Sequence, residues 1–139
     1  MSCRFTVRCD FEEASRVWDA IELRIGARYR QNDRLKLRLG LTEIINNVIG
    51  HGLGEGSEET FSLRVFERDR RLTVWIGHGG APFPPPAQVT DEAKVLASED
   101  ARGRGLWLIE QCFHEVRYRQ RGARQTILAS FRADFADPE

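Results

Sequence analysis

The chain has 139 residues, enough for one domain with a single buried core. Its apolar fraction of 41% and charged fraction of 30% are those of an ordinary globular protein. Lys+Arg and Asp+Glu both number 21, so composition supplies no global field for nucleic acid or an anionic membrane surface.

The N-terminus, MSCRFTVRCD, carries charges where a signal peptide needs an apolar run, and no apolar run approaches the roughly 20 residues of a membrane span. Both features read as a cytoplasmic domain outside any membrane. Arg4 to Cys9 alternates as a first strand. Asp10 followed by Glu13 reads as a capping box, after which Ala14, Val17, Trp18, Ile21 and Ile25 recur at helical spacing. That helix should end between Gly26 and Tyr29. Asn32 or Asp33 then caps a second helix, from about Leu35 to about Gly50.

After a Gly-rich loop, Phe61 to Phe66 and Leu72 to Ile76 alternate as two strands around a tight charged turn. From Gly77 to Gly105 the pattern gives way to a long Gly- and Pro-bearing stretch with the character of a functional lid. Leu106 to Phe113 reads as a third helix. Val116 to Arg119 and Thr126 to Arg132 close the chain as a hairpin around Arg121 and Gly122. Strands arriving in hairpin pairs predict a single domain over residues 1–139, an α/β two-layer sandwich. Its sheet is mixed, mostly antiparallel, with the helices on one face. The βαβαβ order of a dinucleotide-binding domain is absent, as is any GxxxxGK[ST] phosphate loop. Cys3, Cys9 and Cys112 are too few and too scattered for a disulfide framework or a zinc site, and read as buried or half-buried thiols.

The segment LRLGLTEIINNVIGHG, residues 37–52, carries the most chemistry. At about 100° per residue, Leu37, Leu41, Ile44, Ile45 and Val48 form a core-facing stripe. Glu43, Asn47 and His51 are spaced four apart along one edge of it, and Gly40 on the same rail leaves room for an approaching group. A carboxylate at a core border suits proton acceptance, and an Asn carbonyl one turn along suits Mg²⁺ shared with phosphates. The same spacing also describes a plain solvated edge. GHGGAPF, beginning at Gly77, follows a strand, where glycines let backbone approach a flat ligand. RGRGL, 102–106, opens a helix, whose first amides attract anions.

In order and spacing these pieces resemble the ATP-binding (Bergerat-type) fold of histidine kinases, type II topoisomerases and heat-shock chaperone ATPases. The short stand-alone form of that superfamily is the anti-sigma-factor serine/threonine kinase. EIINNVIGHG resembles its Asn-containing helix, GHGGAPF its first glycine box, ARGRGLWLIEQCFHEV its second, and GARQTI its closing element. The resemblance implies ATP and Mg²⁺ as cofactors. It makes Glu43 the general base and Asn47 the residue holding Mg²⁺ on the phosphates, with His51 one turn beyond. Gly80, Gly103 and Gly105 would line the nucleotide, Arg104 and Leu106 would offer amides to phosphate, and Thr126 would touch the nucleotide from the last strand. Arg102 stands one position out of register from the arginine that such kinases keep for the terminal phosphate. His78 occupies the place of the aspartate that accepts the adenine amino group. The implied partners are an STAS-type anti-anti-sigma protein, a sigma factor and a second copy of the chain. A nucleotide-impaired partner-binding module and a detached histidine-kinase domain are the competing readings.

Overall fold

The computed structural model describes residues 1–80 and 101–133, with residues 101–105 described by their backbone alone. The elements run β1 (Ser2–Arg8), α1 (Glu13–Ile25), a 3-10 turn (Gly26–Arg28), α2 (Gln31–Asn47) and a π-turn (Val48–Leu53). β2 (Thr60–Arg68), β3 (Arg71–His78), α3 (Ala101–Cys112), β4 (Glu115–Arg121) and β5 (Arg124–Arg132) follow. The strands lie in the order β1-β2-β3-β5-β4, and every neighbouring pair is antiparallel. The expected sequence of elements and the two-layer sandwich are observed, and the sheet proves antiparallel throughout the described residues. The lid expected between Gly77 and Gly105 lies mostly outside those residues.

Strand alternation decides the faces. Val7, Leu63, Val65, Val74, Ile76, Ile127 and Ala129 point to the helices and are buried, joined there by Ile21, Leu37, Ile44, Ile45 and Ile109. The other face of the sheet carries no helix among the described residues and is dominated by arginine. β1 contributes Arg4, β2 contributes Arg64 and Arg68, β3 contributes Arg71, β4 contributes Arg117 and Arg119, and β5 contributes Arg132, all exposed. The β2–β3 turn is two residues long, with Asp69 and Arg70 both left-handed (φ 53° and 64°), the twist that tight hairpins favour.

Several boundaries differ from expectation for physical reasons. α2 starts at Gln31 behind an extended Arg30, and Asn32 and Asp33 lie in its first turn. The helix start is fixed upstream: Tyr29, 1% exposed, gives its hydroxyl proton to Glu67, which also accepts Arg28 at 2.8 Å. Glu13 does not close a capping box with Asp10. Its buried carboxylate reaches back to the Arg8 amide at 3.0 Å and pairs with the Arg8 and Arg16 side chains. β3 runs on through Gly77 and His78, because sheet pairing overrides glycine's local breaking tendency, and α3 spans Ala101–Cys112.

Gly40 does leave room for an approaching group, and that group is α3. A Cβ at position 40 would lie 2.7 Å from the Cβ of Cys112 and 2.7 Å from the Phe113 ring. The missing side chain therefore sets the α2–α3 distance.

An ordinary helical Gly→Ala change gains up to about 1 kcal/mol. Gly40→Ala should instead cost about 1–3 kcal/mol by prying the helices apart, measured by urea denaturation. A second expectation concerns acid. Arg16, with Arg8 behind it, holds the Glu13 carboxyl down at about 2 against its ordinary 4.5. The stability this gives is complete above about pH 4.5 and drains away as pH falls towards 2. Glu13→Gln should flatten that part of the acid-unfolding curve while lowering stability at neutral pH.

Candidate functional site

The apolar stripe of α2 is buried as its spacing requires, with Leu37, Leu41, Ile44, Ile45 and Val48 each at most 2% exposed. That contact fixes the helix's rotation and holds Glu43 and Asn47 at the edge of the core. Glu43 is half-buried beside Cys112 of α3, and burial pushes its carboxyl above the ordinary glutamate range. A carboxylate in that state is a better proton acceptor than a solvated one. Asn47 is 6% exposed, and its buried side-chain Nδ2 has no hydrogen-bond partner among the described residues. An unpaired buried donor costs about 1–3 kcal/mol, which a bound acceptor would relieve.

His51 does not continue the rail. The chain after Asn47 widens into the π-turn, closed by a 2.7 Å bond from the Gly54 amide to the Ile49 carbonyl. His51 is exposed within that turn, so four-residue spacing no longer stacks it over Asn47. Wide turns of this kind are frequent where helices meet functional sites.

The first glycine box meets the π-turn directly. Gly80 has φ 83°, and a Cβ there would lie 2.2 Å from the Gly52 carbonyl oxygen. Only glycine permits this contact, which brings the end of β3 against the segment after Asn47. Ala81 to Phe83, the remainder of that box, lie outside the described residues.

His78 is fully buried on the helix-facing side of β3, opposite Gln125 of β5. Its Nδ1 lies 2.5 Å from the Gly79 carbonyl, and its Nε2 lies 2.8 Å from the Gln125 side-chain amide. The Gln125 atom in this contact is Oε1, so both ring nitrogens face oxygens, and the tautomer decides which of them donates. Both ring nitrogens are thus held by protein neighbours. In the place of the family's aspartate the chain therefore has a packed, hydrogen-bonded ring between β3 and β5.

Strand parity also corrects Thr126. It pairs with Gly77 and Arg119 and lies on the open face, lining a cavity of about 260 Å³ with Trp75, Arg117, Arg119 and Leu128. Gln125, 3% exposed, is the residue of the closing element that faces the helices. Alternation in β5 could have revealed this, because Gln125 shares parity with Ile127 and Ala129.

The second glycine box forms the first turns of α3 rather than a loop ahead of it. Arg102, Gly103 and Arg104 thus stand in the first turn of α3, the part of a helix where amides and dipole favour an anion. Gly103 and Gly105 belong to the same stretch of helix. The side chain of Leu106 is 1% exposed and belongs to the core, whereas the role expected of this residue concerns its backbone amide. The side chains of Arg102 and Arg104 lie outside the described residues.

A profile of the histidine kinase-like ATPase domain matches residues 6–131. No curated protein matches the chain. Among solved structures, the RsbU and RsbW domains of Rv1364c from Mycobacterium tuberculosis superpose with a TM-score of 0.65 at 14% identity. That match covers 96% of this chain and 32% of the other. The histidine kinase domain of the Erythrobacter litoralis EL346 blue-light activated histidine kinase gives 0.54 at 14% identity, over 88% of this chain and 60% of that one. The catalytic domain of histidine kinase ThkA gives 0.54 at 11% identity, over 96% of this chain and 97% of that one. The chain thus spans about a third of the first of these proteins and 60% of the second. Likeness at these identities is likeness of fold, and the profile match across nearly all of the sequence goes further: this chain belongs to the family of histidine kinase-like ATPase domains, for which ATP is the implied ligand.

Proposed function

We propose that this domain is an ATP-dependent serine/threonine protein kinase and anti-sigma factor. It would phosphorylate an STAS-type anti-anti-sigma protein and bind a sigma factor in a partner-switching system, with a second copy of the chain as its own partner. The observation that carries the reading is the edge of α2, where desolvated Glu43 stands one turn from an Asn47 amide with an unmatched buried donor. Family membership supplies the ATP. Serine/threonine specificity and the STAS partner rest on the four-motif resemblance, with support from the fold match to a protein containing an RsbW domain.

The residues present fit a nucleotide-shared Mg²⁺. No three His, Cys, Asp or Glu side chains group as a metal cage among the described residues. An asparagine oxygen is a hard donor suited to an ion whose other positions are filled by phosphates and water. Asn47 would hold that ion, and its chemistry when bound is to neutralise charge on the phosphates. Glu43 takes the proton of the substrate hydroxyl as that oxygen forms its bond to the terminal phosphorus and the ADP oxygen leaves. Amides of the second glycine box, at the start of α3, would hold the anionic oxygens in place. Catalysis of this kind is positioning and charge stabilisation.

One observation favours a second reading, a partner-binding module impaired in nucleotide binding. His78, with both ring nitrogens engaged by Gly79 and Gln125, cannot offer the free acceptor that the family's aspartate provides.

Calorimetry with Mg·ATP separates the two. Binding at micromolar to sub-millimolar affinity is expected for the wild type, and no binding by wild type together with binding by His78→Asp would sink the kinase reading. In a phosphotransfer assay on the antagonist, Glu43→Gln should lower the rate by at least about 100-fold with ATP affinity little changed. The wild-type rate should fall on the acid side with an apparent pKa above the ordinary glutamate value, since only the ionised carboxylate accepts the proton and burial raises its pKa.

A further inference from the structure

The zero net charge of the chain conceals a segregation that the sheet creates. Within the five strands, Glu115 is the only carboxylate on the open face, and it is paired with Arg117. Arg4, Arg64, Arg71, Arg119 and Arg132 make no ion pair among the described residues. All are arginine rather than lysine, the side chain whose planar fork grips phosphate through two bonds and stacks on flat rings.

At the centre of this face lies an aromatic platform. Trp75 is half-buried, and a Cβ on Gly77 would lie 2.6 to 3.3 Å from three atoms of its six-membered ring. The indole is therefore laid along β3 over Gly77, with its outward side towards solvent. It is a shared wall of two depressions. One, of about 260 Å³, also has Arg117, Arg119 and Leu128 in its lining, and the other, of about 270 Å³, has Arg4 and Arg64. Phe66, 39% exposed, adds a second ring on the same face beside Arg68 and Arg71.

We infer that the open face of the sheet binds single-stranded nucleic acid, with phosphates on the arginines and a base stacked on Trp75. Aromatic rings interleaved with cationic side chains on a sheet are how strands without base pairing are held, because every base has a π-face and every linkage a charge. The same observations count against other occupants. A second copy docked face to face would oppose arginine to arginine in a desolvated interface. A lipid surface needs apolar side chains that project, whereas Trp75 lies down on the strand. An acidic polypeptide would satisfy the charge and leave the stacking platform unused.

The test uses the full chain and a fluorescein-labelled oligouridylate of about 12 nucleotides, followed by anisotropy across a salt series. Binding is expected with log affinity falling linearly against log salt, at a slope of about −3 if some four phosphates are engaged. Arg64→Glu with Arg117→Glu should weaken binding and flatten the slope. Trp75→Ala should weaken it about tenfold at unchanged slope, the mark of a stacking contact. Unaltered far-UV circular dichroism shows that the variants fold, and a Trp75→Phe variant should recover part of the affinity. Two results overturn the proposal: no binding of the oligonucleotide at low salt, or binding that Trp75→Ala leaves unchanged. Equal competition by polyglutamate or anionic vesicles would likewise overturn it, by showing that charge alone is being read.

Discussion

The closeness of α2 and α3 over the sheet is the constraint on which the rest of this domain depends. Gly40 has no side chain, and Cys112 and Phe113 occupy the space one would take. α2 is pressed against the sheet through Leu37, Leu41, Ile44 and Ile45 and against α3 through Gly40, so it has little freedom to rotate. Glu43 and Asn47 are consequently held at a border that is neither core nor solvent. Their chemical character follows from that position: burial raises the proton affinity of one and strands a donor of the other.

A second close approach completes the site. Gly80 rests on the Gly52 carbonyl, and the widened π-turn places Gly52 where β3 ends. Beneath that junction His78 and Gln125 form a cross-strand pair that ties the two central strands together inside the helix-facing layer. With the Gly79 carbonyl, the pair commits both ring nitrogens of His78 to the protein. In a site built from glycine contacts and helix amides, such a commitment decides which ligand edges can be matched. The balance between a working kinase and a partner-binding module therefore turns on the His78–Gln125 pair more than on the Glu43 edge.

The sheet is used on both faces, and the two have opposite character. One holds the core and the candidate site at the edge of α2. The other gathers exposed arginines around Trp75, Phe66 and Leu128. Because the strands alternate, a single amphipathic pattern per strand serves both surfaces at once. A ligand on the open face and a ligand under the helices would be separated by only the thickness of one sheet.

Much of this was legible in the sequence, and what was not has identifiable causes. Alternation in β1 to β5 and the helical spacing of α1 and α2 determined the element order, the two layers and the buried stripe, because burial of apolar area imposes its period on the chain. The same stripe placed Glu43 and Asn47 correctly at its edge. Helix ends were less visible, since α2 starts behind Arg30, which makes no side-chain capping bond, beside the Tyr29–Glu67 bond. The π-turn that removes His51 from the rail leaves no local signature. Thr126 was misread because a motif fixes a position along the chain, whereas the register of β5 against β3 fixes the face. The His78–Gln125 contact and the arginine field of the open face exist only after distant strands pair. Composition reports the sum of charges, and tertiary structure alone decides on which side they stand.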